Sequence, residues 1–294
     1  MLAIDLQDRL VFIAGIADDQ GFGWACARAC AEAGARVIAG TWVPMVRLFE
    51  EQLASGRFLE SQRLPSGKLL TFEAILPMDA RYDQPDQVPD EVRQHKRYAG
   101  YEGYTLQEVA QKLRQLGPLG GVIHSLAMAP EIRRPLLQTS RSGYLEALST
   151  SSYSWVSLVQ HLGPLMTAGS SFITLTYRAS QQVIPGYGGG MSSAKAALES
   201  DTRTLAWEAG RAWGLRVNAV SPGPWPSRAA RAIGPIDAMI TASQEAAPLR
   251  RPLQPADVGS VVAFLLSPLA MGITGSVIMV DNGLHIMGAG LPTQ

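Results

Sequence analysis

Residues 9–14, Arg-Leu-Val-Phe-Ile-Ala, are an almost unbroken apolar run, and an alanine-rich stretch over residues 24–33 follows after a loop that holds Gly15, Gly21 and Gly23. A continuous run, with no alternation, predicts a strand buried on both faces, as in a parallel sheet. Strand, glycine loop and helix together open a dinucleotide-binding unit: the glycines permit the turn and let backbone approach a pyrophosphate seated on the helix N-terminus. The spacing is Gly-x5-Gly-x-Gly, not GxGxxG, so the loop alone fits an ordinary βα turn equally well. Asp18 and Asp19 would repel a pyrophosphate, and are expected to point away or to cap the helix.

Residues 36–41 read as the second strand, ending at Trp42. An acidic residue here would bind a ribose 2′-hydroxyl and a basic one a 2′-phosphate. Neither is present, and no Arg or Lys occurs between Trp42 and Arg47, which favours NAD(H) over NADP(H). Trp42 reads equally as an adenine platform or a half-buried strand-end aromatic. Residues 43–103 read as a long surface excursion with one strand, 69–76, and with the Lys and Arg after residue 80 on a solvated face. Asp79, just past that strand, is either an acceptor for the adenine amino group or a turn residue. A helix over 104–116 leads to a strand over 120–124 and the loop Ser125-Leu126-Ala127-Met128-Ala129-Pro130. His124 is expected to be a packed structural histidine. Further on come a long helix over 144–166, a strand over 171–176, a helix over 191–212 and a strand over 215–220. Residues 225–246 are a candidate lid; a helix over 255–266 and a strand over 276–280 close the pattern. The sum is seven strands with intervening helices: one α/β domain, a doubly wound, Rossmann-like parallel sheet over residues 1–294.

Composition excludes several classes. Lys plus Arg number 25 and Asp plus Glu 25, so there is no basic field to gather nucleic acid. The longest apolar runs, such as 261–266, fall far short of the ~20 residues that span a bilayer. The first ten residues lack the pattern of a signal peptide. Cys26 and Cys30 are wrongly spaced for a CxxC centre and too few for zinc, so no metal is expected and both read as small buried apolar residues.

The chemistry gathers around Tyr177, at the end of a β-type run, and Tyr187, which follows a Pro-Gly turn and precedes Lys195 by eight residues. A phenol can share a proton at a carbonyl oxygen, and a lysine supplies charge and donors, so the set suits a reaction that builds negative charge on oxygen. An eight-residue step turns about 80° on an ideal helix, which would part the two side chains. Gly188, Gly189 and Gly190 resolve this by placing Tyr187 on a shoulder before the regular helix. Tyr104 and Lys112 share the spacing without the glycines or the preceding strand, and read as surface.

These residues carry a resemblance. The run from Thr176-Tyr177 through Ile184-Pro185-Gly186-Tyr187 to Lys195-Ala196-Ala197-Leu198-Glu199-Ser200 resembles the enoyl-acyl carrier protein reductases of type II fatty acid synthesis, a branch of the short-chain dehydrogenase/reductase family, and among them the plastid and apicomplexan enzymes. Gly15-Ile16-Ala17-Asp18-Asp19, Gly40-Thr41-Trp42, Lys96-Arg97-Tyr98-Ala99-Gly100, His124-Ser125-Leu126-Ala127, Ser227-Arg228-Ala229-Ala230 and Val280-Asp281-Asn282-Gly283-Leu284 extend it over nearly the whole chain.

The resemblance implies NADH-dependent reduction of a trans-2-enoyl thioester, with hydride reaching the β-carbon, Tyr187 stabilising the enolate, Lys195 holding the nicotinamide ribose and Tyr177 lining the acyl pocket. It implies cofactor contacts from Gly15, Ala17, Phe22 and Trp42, from Asp79 and Ala80, from Ser125, Leu126 and Ala127, and from Gly223, Pro224, Trp225 and Ser227. The substrate pocket would add Met128, Met191, Pro222, Ala229 and Ile233. Met128, Pro222 and Trp225 depart from the family's usual residues and are expected on the nicotinamide side, where they bear on acyl-chain preference and on affinity for diphenyl-ether inhibitors; Phe22 stands where a tyrosine is common. A homotetramer, an acyl carrier protein partner recognised by Arg228, Arg231, Arg250 and Arg251, and a plastid or apicoplast setting (cytoplasm if bacterial) with the transit peptide outside this chain are further implications. A carbonyl-reducing relative would use Tyr-x3-Lys, which is lacking. An inactive dinucleotide binder of the same fold would bind NADH without turnover.

Overall fold

The structure, a computed structural model, describes residues 3–231 and 236–288, with only the backbone of Ala229. β1 (Leu10–Ala14) passes through the glycine loop into α1 (Phe22–Glu32), and β2 (Arg36–Trp42) runs into α2 (Val43–Ala54). The single turn α3 (Leu59–Gln62) precedes β3 (Phe72–Met78); α4 (Asp90–Arg93) and α5 (Leu106–Leu116) lead to β4 (Leu119–His124). Then come α6 (Arg141–Leu148), α7 (Ser154–Leu162), β5 (Met166–Leu175), the long α8 (Met191–Trp213) and β6 (Arg216–Pro222). α9 (Arg228–Arg231), α10 (Ile236–Ala246), α11 (Pro255–Leu266) and β7 (Val277–Val280) complete the described elements.

The sheet has seven strands in the order β3-β2-β1-β4-β5-β6-β7, and every pairing is parallel. The chain steps outward from β1 in one direction, then restarts at β4 on the other side. That reversal is a topological switch point, where open α/β sheets bind ligands beyond their strand C-termini. The apolar run of β1 is continuous because it serves two cores. Val11 and Ile13 pack with α1 and α11, including Trp24, Cys26, Cys30, Val258 and Leu265. Phe12 and Ala14 pack on the other face with Leu113 of α5, Trp155 and Leu158 of α7 and Leu198 of α8. Each such side chain contributes about 1.5–3 kcal/mol by leaving water. Burial pushes the Cys26 thiol up to about 12 and raises Cys30 well above its ordinary value, so both are inert core residues.

Three local expectations are corrected. The helix expected over 144–166 is broken: α6 ends at Leu148, a π turn spans Ser149–Tyr153, and α7 follows. The Ser151 hydroxyl bonds the backbone of Met128, and the Ser154 hydroxyl bonds back to the Thr150 carbonyl, which widens the helix at this point. Residues 43–103 are more than a surface excursion. They contain α2, whose Phe49 packs with Trp24, Phe58 and Phe72, and Arg81 there is partly buried against Asp79. Tyr104 is not a surface residue either, since it is buried with Val43, Val88 and Tyr98.

Candidate active site

Beyond the C-terminal ends of β1, β4, β5 and β6 lies a cavity of about 500 Å³, a size ordinary for a cofactor or small-molecule site. Its first wall is the glycine loop: Gly15, Ala17, Asp18, Gly21, Phe22 and Gly23 all line it. Gly15 has φ 107°, and a Cβ there would lie 2.2 Å from the Ser125 carbonyl oxygen, so no other residue fits where β1 passes the start of the β4 loop. Gly21 is the N-cap of α1 and no side chain caps that helix, which leaves its amide end on the cavity wall for an anionic ligand. The expectation that Asp18 turns away or caps α1 fails: Asp18 lines the wall, accepts from the Gln20 amide and faces Arg228 at 3.9 Å.

Trp42 is on the wall beside Met45 and is 44% exposed. Arg47 is tied to Glu51 one turn along α2, at 2.7 Å. Asp79 and Ala80 lie off the wall. The Asp79 carboxylate is held by the Arg81 guanidinium at 2.7 Å and by the Tyr98 hydroxyl at 2.6 Å. Arg81 also donates to Tyr98 at 2.9 Å. The Asp79 hydrogen bond holds Arg81 above its ordinary value, while burial first and then Asp79 push Tyr98 up. The carboxylate expected to meet adenine is thus already engaged by two protein donors.

The second wall holds Tyr177, Tyr187 and Lys195. Tyr177 leaves the end of β5, and Tyr187 sits on the shoulder before α8, with ring centroids 5.2 Å apart. Gly189 and Gly190 have φ of 61° and 80°. Cβ atoms at Gly188 and Gly189 would fall 2.0 Å from the Arg134 carbonyl oxygen and 2.5 Å from the Glu131 carbonyl carbon. That close backbone seam turns Tyr187 toward the cavity, and Lys195, a turn into α8, reaches the same space. The Lys195 ammonium donates to the Leu175 carbonyl at 2.8 Å. Burial pulls it down to about 8, with Glu199 opposing. Burial pushes Tyr187 above its ordinary value, with Tyr177 adding to the shift, and raises Tyr177 as well. Both phenols are therefore proton donors at neutral pH. His124 is fully buried between the Thr174 and Ser154 hydroxyls, and desolvation pushes it down to about 3, so it is structural.

Ser125, Leu126 and Ala127 line the cavity, as do Pro222, Gly223, Pro224, Trp225 and Ser227. Met128 and Met191 do not line this wall. Met128 is pinned by Ser151, and Met191 is buried with Ala129, Ala147 and Ala194 behind Tyr187. Ala229 falls in α9 with its side chain outside the description, and Ile233 lies outside the described residues. The sequence reading missed Met45 of α2 and Ile236 and Met239 of α10, which also line the cavity. The one signal for the last two is their three-residue spacing on one helical face.

The family described as Enoyl-(Acyl carrier protein) reductase matches residues 104–285. The chain is 55% identical over 288 residues to enoyl-(acyl-carrier-protein) reductase (NADH) 1, chloroplastic, of Oryza sativa subsp. japonica, covering 98% of this chain and 77% of the relative. It is 53% identical over 291 residues to the chloroplastic NADH enzyme of Arabidopsis thaliana, covering 99% and 75%. The crystal structure of the Plasmodium berghei enoyl-acyl-carrier-protein reductase with triclosan superposes with a TM-score of 0.93 at 45% identity, covering 95% of this chain and 98% of that one.

Proposed function

Since the chain belongs to the enoyl-(acyl carrier protein) reductase family, we propose that it reduces the trans-2 double bond of enoyl-acyl carrier protein thioesters with NADH, using Tyr187 to stabilise the enolate. The observation that carries this reading is the pair of protonated phenols, Tyr177 and Tyr187, facing each other in one cavity with the buried ammonium of Lys195.

The cavity fits a dinucleotide on the observations above: a glycine cradle that a Cβ would fill, an uncapped helix N-terminus and an exposed indole at the far end. NADH bound there would supply a hydride, two electrons and one hydrogen, to the β-carbon, and the resulting enolate would take a solvent proton at the α-carbon. Gly15, Ala17 and Phe22, with the α1 N-terminus, would hold its pyrophosphate. Trp42 would support the adenine end. Ser125, Leu126 and Ala127, with Gly223, Pro224, Trp225 and Ser227, would flank the nicotinamide end, and Lys195 would hold the ribose. The Tyr187 hydroxyl donates to the thioester oxygen, whose negative charge exists mainly in the transition state. Lys195, buried beside it, adds positive charge, and Tyr177 lines the acyl side.

The thioester arrives on acyl carrier protein in this reading. Arg228, Arg231, Arg250 and Arg251 are exposed near the lid and suit an acidic partner. Leu145, Tyr153 and Trp207 expose 55%, 47% and 67% of their surfaces, which supports a homotetramer built on α6 to α8. The chloroplastic names of the plant relatives support a plastid setting. No described helix is long and apolar enough to cross a membrane.

NADH oxidation followed by absorbance with crotonyl-CoA, for wild type, Tyr187→Phe and Lys195→Ala, tests the reading. Turnover in the wild type and a loss of about 10²-fold or more in each variant is the expected result. NADH binding with no oxidation of any enoyl thioester by the wild type overturns it.

A further inference from the structure

One buried carboxylate has no part in the mechanism above. Glu199 lies one helical turn after Lys195 on α8, and each residue is 4% exposed. An unpaired carboxylate at that depth is costly, so its partners report what it is there to hold. One carboxylate oxygen accepts from the Thr176 hydroxyl at 2.7 Å and from the Ser180 hydroxyl at 2.6 Å, and the other accepts from the Gln181 amide at 3.1 Å. Lys195 meanwhile donates to the Leu175 carbonyl. The four contacted residues, 175, 176, 180 and 181, bracket Tyr177 on both sides along the chain. A lysine and a glutamate on one face of α8 therefore fasten the strand end and the 3-10 turn that carry one of the two facing phenols.

The charges matter as well. Among the described residues, four titratable groups share the surroundings of Lys195. Glu199 is on its own helix, His124 comes from β4, and Tyr177 and Tyr187 come from the strand end and the shoulder. His124 is neutral near pH 7 because desolvation holds it at about 3, and both phenols are neutral because burial raises them. Glu199 is thus the carboxylate whose field keeps a proton on Lys195 against desolvation.

We propose that Glu199 is a positioning residue for the reduction, which fixes Tyr177 relative to Tyr187 through Thr176, Ser180 and Gln181 and holds Lys195 in its charged form. The inference rests on the enoyl reductase reading and deepens it, since it assigns a function to a residue outside the cavity wall.

Three variants separate the two halves of the proposal. Glu199→Gln removes the charge at nearly constant shape, Glu199→Asp keeps the charge and shortens its reach, and Thr176→Val deletes one donor with the charge intact. Each is measured for kcat and KM with crotonyl-CoA across pH 6–10, for NADH affinity by tryptophan fluorescence over the same range, and for its melting temperature. Glu199→Gln is expected to move the alkaline limbs of both kcat and NADH affinity about one unit toward lower pH, with kcat down about tenfold and KM nearly unchanged. Thr176→Val and Glu199→Asp are expected to keep the wild-type limb and lose several-fold in kcat. Limbs and kcat in Glu199→Gln within twofold of wild type overturn the proposal, and so does an equal limb shift in Thr176→Val, which would mark general loosening. Should Glu199→Gln not fold, a displaced limb in Glu199→Asp or an unchanged kcat in Thr176→Val overturns it by itself. Loss of wild-type turnover sinks the enoyl reductase reading instead, and is visible in the same assay.

Discussion

The Trp225 indole N–H donates to the Gln20 carbonyl at 2.9 Å, tying the segment after β6 to the glycine loop across the mouth of the cavity. Arg228 faces Asp18 at 3.9 Å and makes a second, weaker tie between the same two segments. Trp225→Phe keeps most of the apolar contact and removes the donor, so it is expected to raise the NAD+ release rate about three- to tenfold, the effect of one hydrogen bond of roughly 1 kcal/mol. Stopped-flow fluorescence measures the rate directly; an unchanged rate assigns the Trp225 tie no part in release.

The two phenols are expected to differ in weight. Tyr187 is the more buried hydroxyl and shares the cavity with Lys195, so Tyr187→Phe should lower kcat by about 10²-fold or more, as for loss of an oxyanion donor. Tyr177→Phe should cost under about tenfold, mostly in KM. Steady-state kinetics on both variants decides this, and equal losses would make the phenols a joint donor.

Lys195 predicts a trade between stability and activity. Its ordinary value of 10.5 is pushed down to about 8 in the fold, so below pH 8 the native state buries a charge that the unfolded chain solvates freely. Between about pH 8 and 10.5 the unfolded state binds more protons, and stability rises with pH through that window. Lys195→Met is therefore expected to be inactive yet more stable at pH 7, by on the order of 1–3 kcal/mol, with the advantage shrinking toward pH 10. Urea denaturation at the two pH values tests it; a variant less stable at both would show that the bond to Leu175 outweighs desolvation.

Gly15→Ala is expected to destabilise the protein by more than about 2 kcal/mol and to abolish NADH binding, because a positive φ and a 2.2 Å approach to the Ser125 carbonyl leave no room for a methyl group. Thermal melting and fluorescence titration report the two effects separately. A folded variant with wild-type affinity would mean that the loop can re-form elsewhere.

Much of this was legible in the sequence where the cause is local. The helix expected over 255–266 is found there with Pro255 in its first turn, and the unbroken apolar run of β1 matches a strand buried on both faces. The three glycines before Met191 placed Tyr187 outside the helix for the reason expected. What stayed hidden depends on distant partners. The π turn needs Ser151 to find the Met128 backbone, and no pattern in either stretch announces the other. Asp79 looked free because its partners are one residue in the following turn and one nineteen residues on. Met45, Ile236 and Met239 reach the cavity through the rotational setting of α2 and α10, which is fixed by tertiary packing.

The pairing of β1 with β4 sets the order in which the chain can become a protein. As the polypeptide emerges during synthesis, β1 can pair with β2, and β2 with β3, at once, but the other edge of β1 waits for residues 119–124. Until then a strand of Leu, Val, Phe, Ile and Ala shows an open edge and one uncovered face, the kind of surface that draws strangers. The closing partner comes late because the connection between them is long, so loop entropy slows the step that seals the sheet. The hazard of making this molecule therefore lies early, in the interval between the third strand and the fourth.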